Sequence, residues 1–593
     1  MIVIDPTTVI YSASDLTAAA HCEWALMHKL DARLGRVEAT VEVEDDMLNR
    51  AAVLGDTHEM NVLAKLRQDH TVVEIERPDS PTDITAAASA TTQAFRDGAD
   101  VIYQAAFFDG RFLGYADFIQ RSGYDDNGDA IYEVYDTKLA RSAKITALLQ
   151  LAAYSEQLHK IGIATGEHVY LILGDGKHST HRLSDILPVY RKRRARLQEI
   201  IDGRVADPEP TPWGDTRYTA CGHCDACKEQ VDATRDVLLV ANLRLTQRAR
   251  LRAAGVTTIN QLAIRREPVD GISDATLTTL RNQAAVQLES TPAAPAWRFA
   301  DSAQLGALPN PDDGDIFFDF EGDPLFQDGT TWGIDYLFGH VEADGTFVPF
   351  WAHDLAQERR ALVDFLAYVQ ERRALYPAMH IYHYAAYERT HLLSLAARHG
   401  YGEEIVADLL RDHVLVDLYP IIRRGFVIGS HSYSLKKLEP LYMTTKRSGT
   451  DNAADSVTAY AHYAELAASG RADDAAAVLA DIGSYNQYDC ESTLALRNWL
   501  LDRANEAGVP LAQPRELELV AVEPEADPLY DDLAALIADT PPAERSADQT
   551  AIALAAAAID YHRRENNSFW WDHFDRLRQP IEQGADTRDV LVI

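Results

Sequence analysis

The stretch YEVYDTKLA, Tyr132 to Ala140, is a run of aromatic and β-branched residues that ends on an acid, one spacer and a lysine. Side chains of an extended chain alternate with period two, so Asp136 and Lys138 project from one face. Taken alone, D-x-K is an ion pair on a solvated strand face. Its surroundings change that reading. Upstream, FLGYADFIQ (112–120) places Asp117 in another short apolar strand after a glycine, and the intervening RSGYDDNGDA (121–130) carries the turn dipeptides S-G and N-G. The two runs therefore read as a hairpin that sets Asp117 beside Asp136 and Lys138. LGDTHE (54–59) carries His58 in an expected helix, and ITALLQLAAYSEQL (145–158) is an amphipathic helix with Gln150 and Tyr154 four apart on one face. Two carboxylates and an imidazole can hold Mg²⁺ or Mn²⁺, while a nearby ammonium orients water and offsets charge on a scissile phosphate. The set suits phosphodiester hydrolysis.

A second constellation begins at IFFDFE (316–321), an apolar strand with Asp319 and Glu321 on one face. HIYHYAAYERTHL (380–392) reads as a strand running into a helix that carries Glu388. SYNQYDCESTLAL (484–496) is helical, with Tyr485 and Asp489 one turn apart. Acids on a strand, at a strand–helix junction and on a late helix can converge on a two-metal centre. The five cysteines are Cys22, Cys221, Cys224, Cys227 and Cys490. CGHCDAC (221–227) is too tight for three disulfide halves and points to a metal site, with Cys22 as the fourth thiolate. Four cysteines suit zinc or an iron–sulfur cluster, and the residues alone lean to zinc. Cys490 is expected as a small core residue.

A chain of 593 residues implies three or four domains. Hydrophobic content of 47% and charged content of 25% are those of a soluble globular protein. No apolar run has the length of a membrane span, and MIVIDPTTVIYSASDL lacks the order of a signal peptide, so a cytoplasmic protein with no membrane partner is expected. The net charge of −35 does not exclude nucleic acid, because acids clustered around divalent metals make a chain anionic and binding depends on local patches. Basic runs stand at YRKRRARLQ (190–198), LRLTQRARLR (243–252) and SLKKLEPLYMTTKR (434–447), each readable as a solvated face. Breaker-rich stretches at 207–215, 290–299 with 308–315, and 522–532 divide the chain. They give an α/β block at 1–230, a helical module at 231–292, a second α/β block at 314–505 and a tail at 506–593. RARLRAAGVTTINQLA in the module resembles the small helix-hairpin-helix units found next to nucleases, with a plain connector bundle as the alternative. LGDGKHST (173–180) is no P-loop, since Leu171 occupies the first glycine position.

The ordered series His58, GYAD ending at Asp117, DTK at 136–138 and QLAAY at 150–154 resembles the RecB-like branch of the PD-(D/E)xK nucleases. That resemblance implies metal binding by His58, Asp117 and Asp136, water activation or transition-state stabilisation by Lys138, and positioning by Gln150 and Tyr154. The second series resembles the DEDD exonucleases of the ribonuclease-H-like fold. It implies Asp319, Glu321, Glu388 and Asp489 as metal ligands and Tyr485 as the residue that positions the attacking water. Two departures stand out: Glu388 replaces the usual aspartate, and Tyr384 the usual asparagine. In RecB-like nucleases one cysteine ahead of the core and three after it hold a [4Fe–4S] staple, which the resemblance implies for Cys22, Cys221, Cys224 and Cys227, with zinc as the alternative. The whole order resembles RecB-like nucleases that carry a ribonuclease-H-like domain ahead of a superfamily 1 helicase. An α/β multidomain, metal-dependent DNA nuclease is expected, acting on ends or single strands in repair or defence. Its helicase is expected later in a longer chain or as a separate subunit, with DTRDVLVI (586–593) as a strand-like run cut ahead of the motor. A catalytically weak DNA-binding scaffold and a ribonuclease are the alternatives.

Overall fold

The computed structural model describes residues 1–40, 45–77, 83–291, 293–329, 331–445, 453–512, 528–538, 540, 545–559 and 561. The expected strand-like run at 586–593, most of the 522–532 stretch, and Lys446 and Arg447 lie outside these residues. The chain divides into two compact units, one of Met1–Arg298, Glu321–Tyr336 and Val427–Tyr485, the other of Phe299–Phe320, Leu337–Phe426 and Asn486–Ile593.

The first unit opens with a hairpin of β1 (Ile2–Asp5) and β2 (Thr8–Ile10), followed by α1 (Ala13–His21), α2 (Glu23–Arg33) and α3 (Asp46–Asp69). A capping box starts α1: the Ser12 hydroxyl accepts from the Asp15 N–H, and the Asp15 carboxylate accepts from the Ser12 N–H. Next come β3 (Val72–Glu74), α4 (Ile84–Arg96), β4 (Val101–Phe108), β5 (Leu113–Tyr124), β6 (Ala130–Lys138), α5 (Ile145–Lys160), β7 (Ala164–Thr165), β8 (His168–Leu173), β9 (His178–Arg182), α6 (Leu183–Ala206) and α7 (Asp225–Thr234). The sheet runs β3-β4-β5-β6-β8-β9, with β7 also beside β6. Strands β4, β5 and β6 form an antiparallel meander, and β8 returns parallel to β6 after α5. The β5–β6 turn forms at the N-G dipeptide: the Asp125 carboxylate accepts from the N–H groups of Asn127 and Asp129, and Gly128 takes φ +87°. LGDGKHST is the turn between β8 and β9, a strand–turn–strand rather than a phosphate loop.

A helical module follows, with α8 (Leu245–Ala253), α9 (Ile259–Ile264) and α10 (Asp274–Leu288) around a small core of Val237, Leu251, Ile259, Leu262 and Leu280. The first two basic runs have internal partners. Arg191 and Arg194 both engage Glu156, Arg196 engages Glu23, and Arg248 is buried against Asp236.

The chain continues through β10 (Trp297–Phe299), β11 (Ile316–Asp328), β12 (Thr331–Glu342), β13 (Phe347–Trp351), α11 (Leu355–Leu375), β14 (Ile381–His383), α12 (Tyr387–His399), α13 (Glu403–Arg411), β15 (Leu415–Asp417) and α14 (Leu418–Gly425). Then come β16 (Phe426–Ile428), α15 (Leu435–Leu438), α16 (Ala453–Ala468), α17 (Ala472–Ala507), α18 (Pro528–Ala535) and α19 (Ala547–Ile559). A five-stranded sheet runs β13-β12-β11-β14-β15, with β14 parallel to both β11 and β15. Period-two alternation along β11 sorts its residues. Phe318 and Phe320 enter the core with Phe338, Leu362 and Phe365, whereas Phe317 stacks on Tyr382 beneath the guanidinium of Arg497 from α17. Arg497 also donates to the buried Asp315 carboxylate at 2.7 Å. Among the described residues no helix is long and apolar enough to cross a membrane.

Candidate functional site

On the first sheet, the β5–β6 register pairs Phe118 with Tyr135, so Asp117 and Asp136 come next in opposition. Asp117 Oδ2 accepts from both the N–H and the hydroxyl of Thr137 at 3.0 Å. Asp136 is fully buried, with the Lys138 ammonium on its Oδ2. From α5, Gln150 Nε2 donates to Asp136 Oδ1 at 3.4 Å and to the Tyr154 hydroxyl at 3.5 Å. The structure thus gathers five of the six residues expected at this site. His58 is the sixth, and its Nε2 lies 3.2 Å from the carbonyl of Ile172 rather than on a carboxylate.

Its neighbour Glu59, which no motif in the sequence marks, reaches further in. Glu59 Oε1 accepts from the Tyr103 hydroxyl at 2.8 Å and from Gln104 Nε2 at 2.7 Å. Gln104 stands across from Asp117 in the β4–β5 register and holds φ +55°, a left-handed conformation rare for a non-glycine strand residue. The one sequence signal for Glu59 is its adjacency to His58 in D-T-H-E.

Charge follows this geometry. Burial first, and then the charge of Asp117, push Asp136 well above the usual carboxylate range and raise Glu59 as well. Burial works to lower Lys138, but the carboxylates of Asp136, Asp117 and Glu59 outweigh it and hold the ammonium above its ordinary value. Three acids around one lysine leave excess negative charge, for which a divalent cation is the natural complement.

On the second sheet, ligand oxygens of Asp319, Glu321 and Asp489 all lie within 4.8 Å of one another. Asn486, also missed in the sequence, is buried one turn before Asp489; its Nδ2 donates to Asp319 Oδ2 at 2.9 Å and to the Asp319 carbonyl at 3.3 Å. Gly339 of β12 makes room for it, since a Cβ there would stand 1.6 Å from Asn486 Oδ1. Ser456 donates to Glu321 Oε2 at 2.8 Å and meets the Tyr336 hydroxyl at 2.6 Å. Tyr485 is buried one turn before Asp489, with the Lys436 ammonium 5.5 Å from its ring centroid.

The fourth expected ligand, Glu388, is not in this group. It is buried in the first turn of α12 with its carboxylate 3.2 Å from His383 Nδ1. The longer side chain and a histidine at the end of β14 together give it a partner of its own. Asp417 does not take its place either: it caps α14 by accepting from the Tyr419 N–H at 2.9 Å and also accepts from the Ala385 N–H at 2.8 Å.

The third set is Cys22, Cys221, Cys224 and Cys227, whose sulfurs also lie within 4.8 Å of one another. Cys22 Sγ is 3.6 Å from Cys227 Sγ, and Cys221 Sγ is 3.9 Å from it. All four are free of disulfides, as is Cys490, a buried core residue. Backbone N–H groups of Ala25 and Cys221 donate to Cys22 Sγ, and those of His223 and Cys224 to Cys221 Sγ. Such donors stabilise thiolates, and the hydrogen bond from Cys227 brings Cys22 down to about 5.

A family model described as the RNase_H superfamily matches residues 316–501, the segment from β11 into α17 that carries Asp319, Glu321 and Asp489. The segment is thus similar to ribonuclease-H-superfamily domains, a likeness that fits a nuclease-type function. A search of curated proteins returned no match.

Proposed function

We propose that the chain is a metal-dependent nuclease that cleaves DNA phosphodiester bonds at ends or on single strands. The observation that carries this reading is the convergence of Asp319, Glu321 and Asp489 within a segment that matches the RNase_H superfamily. Three partly buried carboxylates are the hard oxygen donors that Mg²⁺ and Mn²⁺ take. Ions held there would supply an activated water and offset charge on the phosphoryl oxygens. The residues do the rest. Asn486 orients the Asp319 carboxylate and Ser456 orients Glu321, and the Tyr485 hydroxyl would position the attacking water.

The first sheet supports a second nuclease centre of the PD-(D/E)xK kind. Asp117, Asp136 and Glu59 would hold its ion, Lys138 would face the scissile phosphate, and Gln150 and Tyr154 would keep Asp136 in place. The order α3, β4–β5–β6 meander, α5 and parallel β8 favours this reading. A helicase, in a longer chain or as a separate cytoplasmic subunit, would deliver the strand.

The sulfur separations favour zinc over [4Fe–4S] at the four cysteines. Thiolates about one tetrahedral ion at about 2.3 Å stand roughly 3.8 Å apart, against the 3.6 and 3.9 Å found here. A cubane puts a separate iron behind each thiolate and spreads the sulfurs further. The site would then tie α2 to the start of α7 and serve stability.

One observation favours the scaffold alternative for the ribonuclease-H-like domain, the withdrawal of Glu388 to His383. Cleavage of 5′- and 3′-labelled single-stranded and duplex DNA and RNA, with Mn²⁺ or Mg²⁺, tests the proposal. Metal-dependent DNA cleavage that Asp319→Ala and Lys138→Ala each reduce and together abolish supports a nuclease; tight DNA binding without cleavage supports the scaffold.

A further inference from the structure

We infer that Gln104 is the positioning residue that turns Glu59 into the third metal-binding carboxylate of the first centre, in the place that the motif series gives to His58. The inference deepens the nuclease reading of the first sheet and rests on it. In a regular strand Tyr103 and Gln104 point to opposite faces. Both nevertheless donate to Glu59 Oε1, at 2.8 and 2.7 Å. The reversal comes from the backbone of Gln104 itself, at φ +55° in the middle of β4. No residue is inserted to allow it, since the ladder pairs Tyr103 with Phe118 and Ala105 with Ala116 on either side. A left-handed glutamine inside an otherwise regular ladder is strain that serves no pairing, and such strain is retained where a site uses it.

The amide is oriented from its other end. Arg77 donates to Gln104 Oε1 through Nε at 2.9 Å and Nη2 at 2.7 Å. A guanidinium can only donate, so it holds the amide oxygen and leaves the NH₂ group for the Glu59 carboxylate. Arg77 is itself fixed over the ring of Tyr115, 5.4 Å from the centroid and two residues before Asp117 on β5.

Electrostatics place Glu59 in the centre. Burial and then the Asp117 charge raise Glu59, and against the lowering effect of burial its charge joins those of Asp136 and Asp117 in holding the Lys138 ammonium up. His58, the preceding residue on α3, has its Nε2 on the Ile172 carbonyl at 3.2 Å instead. Carboxylates from α3, β5 and β6 form a hard-oxygen set for Mg²⁺ or Mn²⁺, and a glutamate with three rotatable bonds has to be held to join it.

The test uses the full chain carrying Asp319→Ala, which silences the second centre, and reads Mn²⁺ affinity by titration calorimetry together with Tm in EDTA. Gln104→Gly and Gln104→Ala should each weaken Mn²⁺ binding by roughly 10- to 100-fold, the usual effect of removing a group that orients a metal ligand. Glycine adopts positive φ freely, so Gln104→Gly should melt above Gln104→Ala, the reverse of their ordinary order in a strand. In a Glu59→Gln background neither change should weaken Mn²⁺ binding further, a loss of additivity that a merely structural role would not produce. Unchanged Mn²⁺ affinity in Gln104→Gly, an equal loss with and without Glu59, or Gln104→Gly melting below Gln104→Ala overturns the positioning role. Mn²⁺ binding that depends on Gln104 and Glu59 without any DNA cleavage keeps that role and overturns the nuclease reading of this sheet. No Mn²⁺ binding by the parent overturns both.

Discussion

Asp136 shows how one buried carboxylate both costs stability and serves a site. Its folded pKa is raised, so the stability it contributes is complete below the unfolded value near 3.8 and is lost as pH rises through the folded value. At neutral pH the ionised form is therefore penalised. Asp136→Asn should raise Tm in EDTA at neutral pH by a few degrees, on the order of 1 kcal/mol, while weakening Mn²⁺ binding and abolishing cleavage at the first site. A fall in Tm would mean that its ion pair with Lys138 outweighs the cost of burial. Lys138→Ala should leave the fold intact and slow that cleavage by about two to four orders of magnitude, as expected for one positioned electrostatic group. Residues in strict spacing, such as D-x-K and Q-x3-Y, are legible in the sequence because strand and helix periods force them together. Glu59 and Asn486 are not. Each acts through a neighbouring chain that no local pattern identifies, Glu59 through Tyr103 and Gln104, and Asn486 through the space left by Gly339.

Among the helices and strands, the β5–β6 hairpin, the strand-to-helix passage at 381–399 and the helical run through Asp489 follow from turn dipeptides and periodicity in the sequence. Tertiary partners decide the rest. The run LRLTQRARLR reads as a basic face, yet Arg248 is buried against Asp236, whose carboxylate also accepts from Trp213 Nε1 at 2.8 Å. Burial would raise Asp236, but Arg248 outweighs it and the pKa is lowered, so its stabilisation is present above about pH 4 and is lost as pH falls through the folded value. Asp236→Ala should destabilise the helical module by about 3–5 kcal/mol, the usual cost of leaving a buried charge unpaired, read by calorimetry at neutral pH. Gly339→Ala should displace Asn486 from Asp319 and cost about 1–3 kcal/mol as overpacking, with loss of cleavage at the second site. If Gly339→Ala keeps both stability and that cleavage, the Asn486 contact is unimportant.

Across the whole molecule, the sequence shows two acid constellations and a cysteine group, and the ribonuclease-H-superfamily match falls on the second constellation. It does not show that Glu388 is drawn to His383, because that depends on where β14 ends relative to α12. Nor does it choose between zinc and a cluster, since the choice depends on sulfur separation rather than residue spacing. Purified protein should be colourless and hold one zinc per chain by metal analysis. A brown protein with iron and acid-labile sulfide would restore the cluster reading.

The nuclease reading of the ribonuclease-H-like segment stands or falls on whether Asp319, Glu321 and Asp489 form a working metal centre. Mn²⁺-dependent degradation of end-labelled single-stranded DNA by the Lys138→Ala protein, compared with the Lys138→Ala/Asp319→Ala protein, decides it. Stepwise shortening is expected from the first, lost on removing Mn²⁺, and no shortening from the second, because a carboxylate that positions metal cannot be replaced by water without misplacing the ion. Equal degradation by the two proteins, or none by either, would contradict a working centre at Asp319.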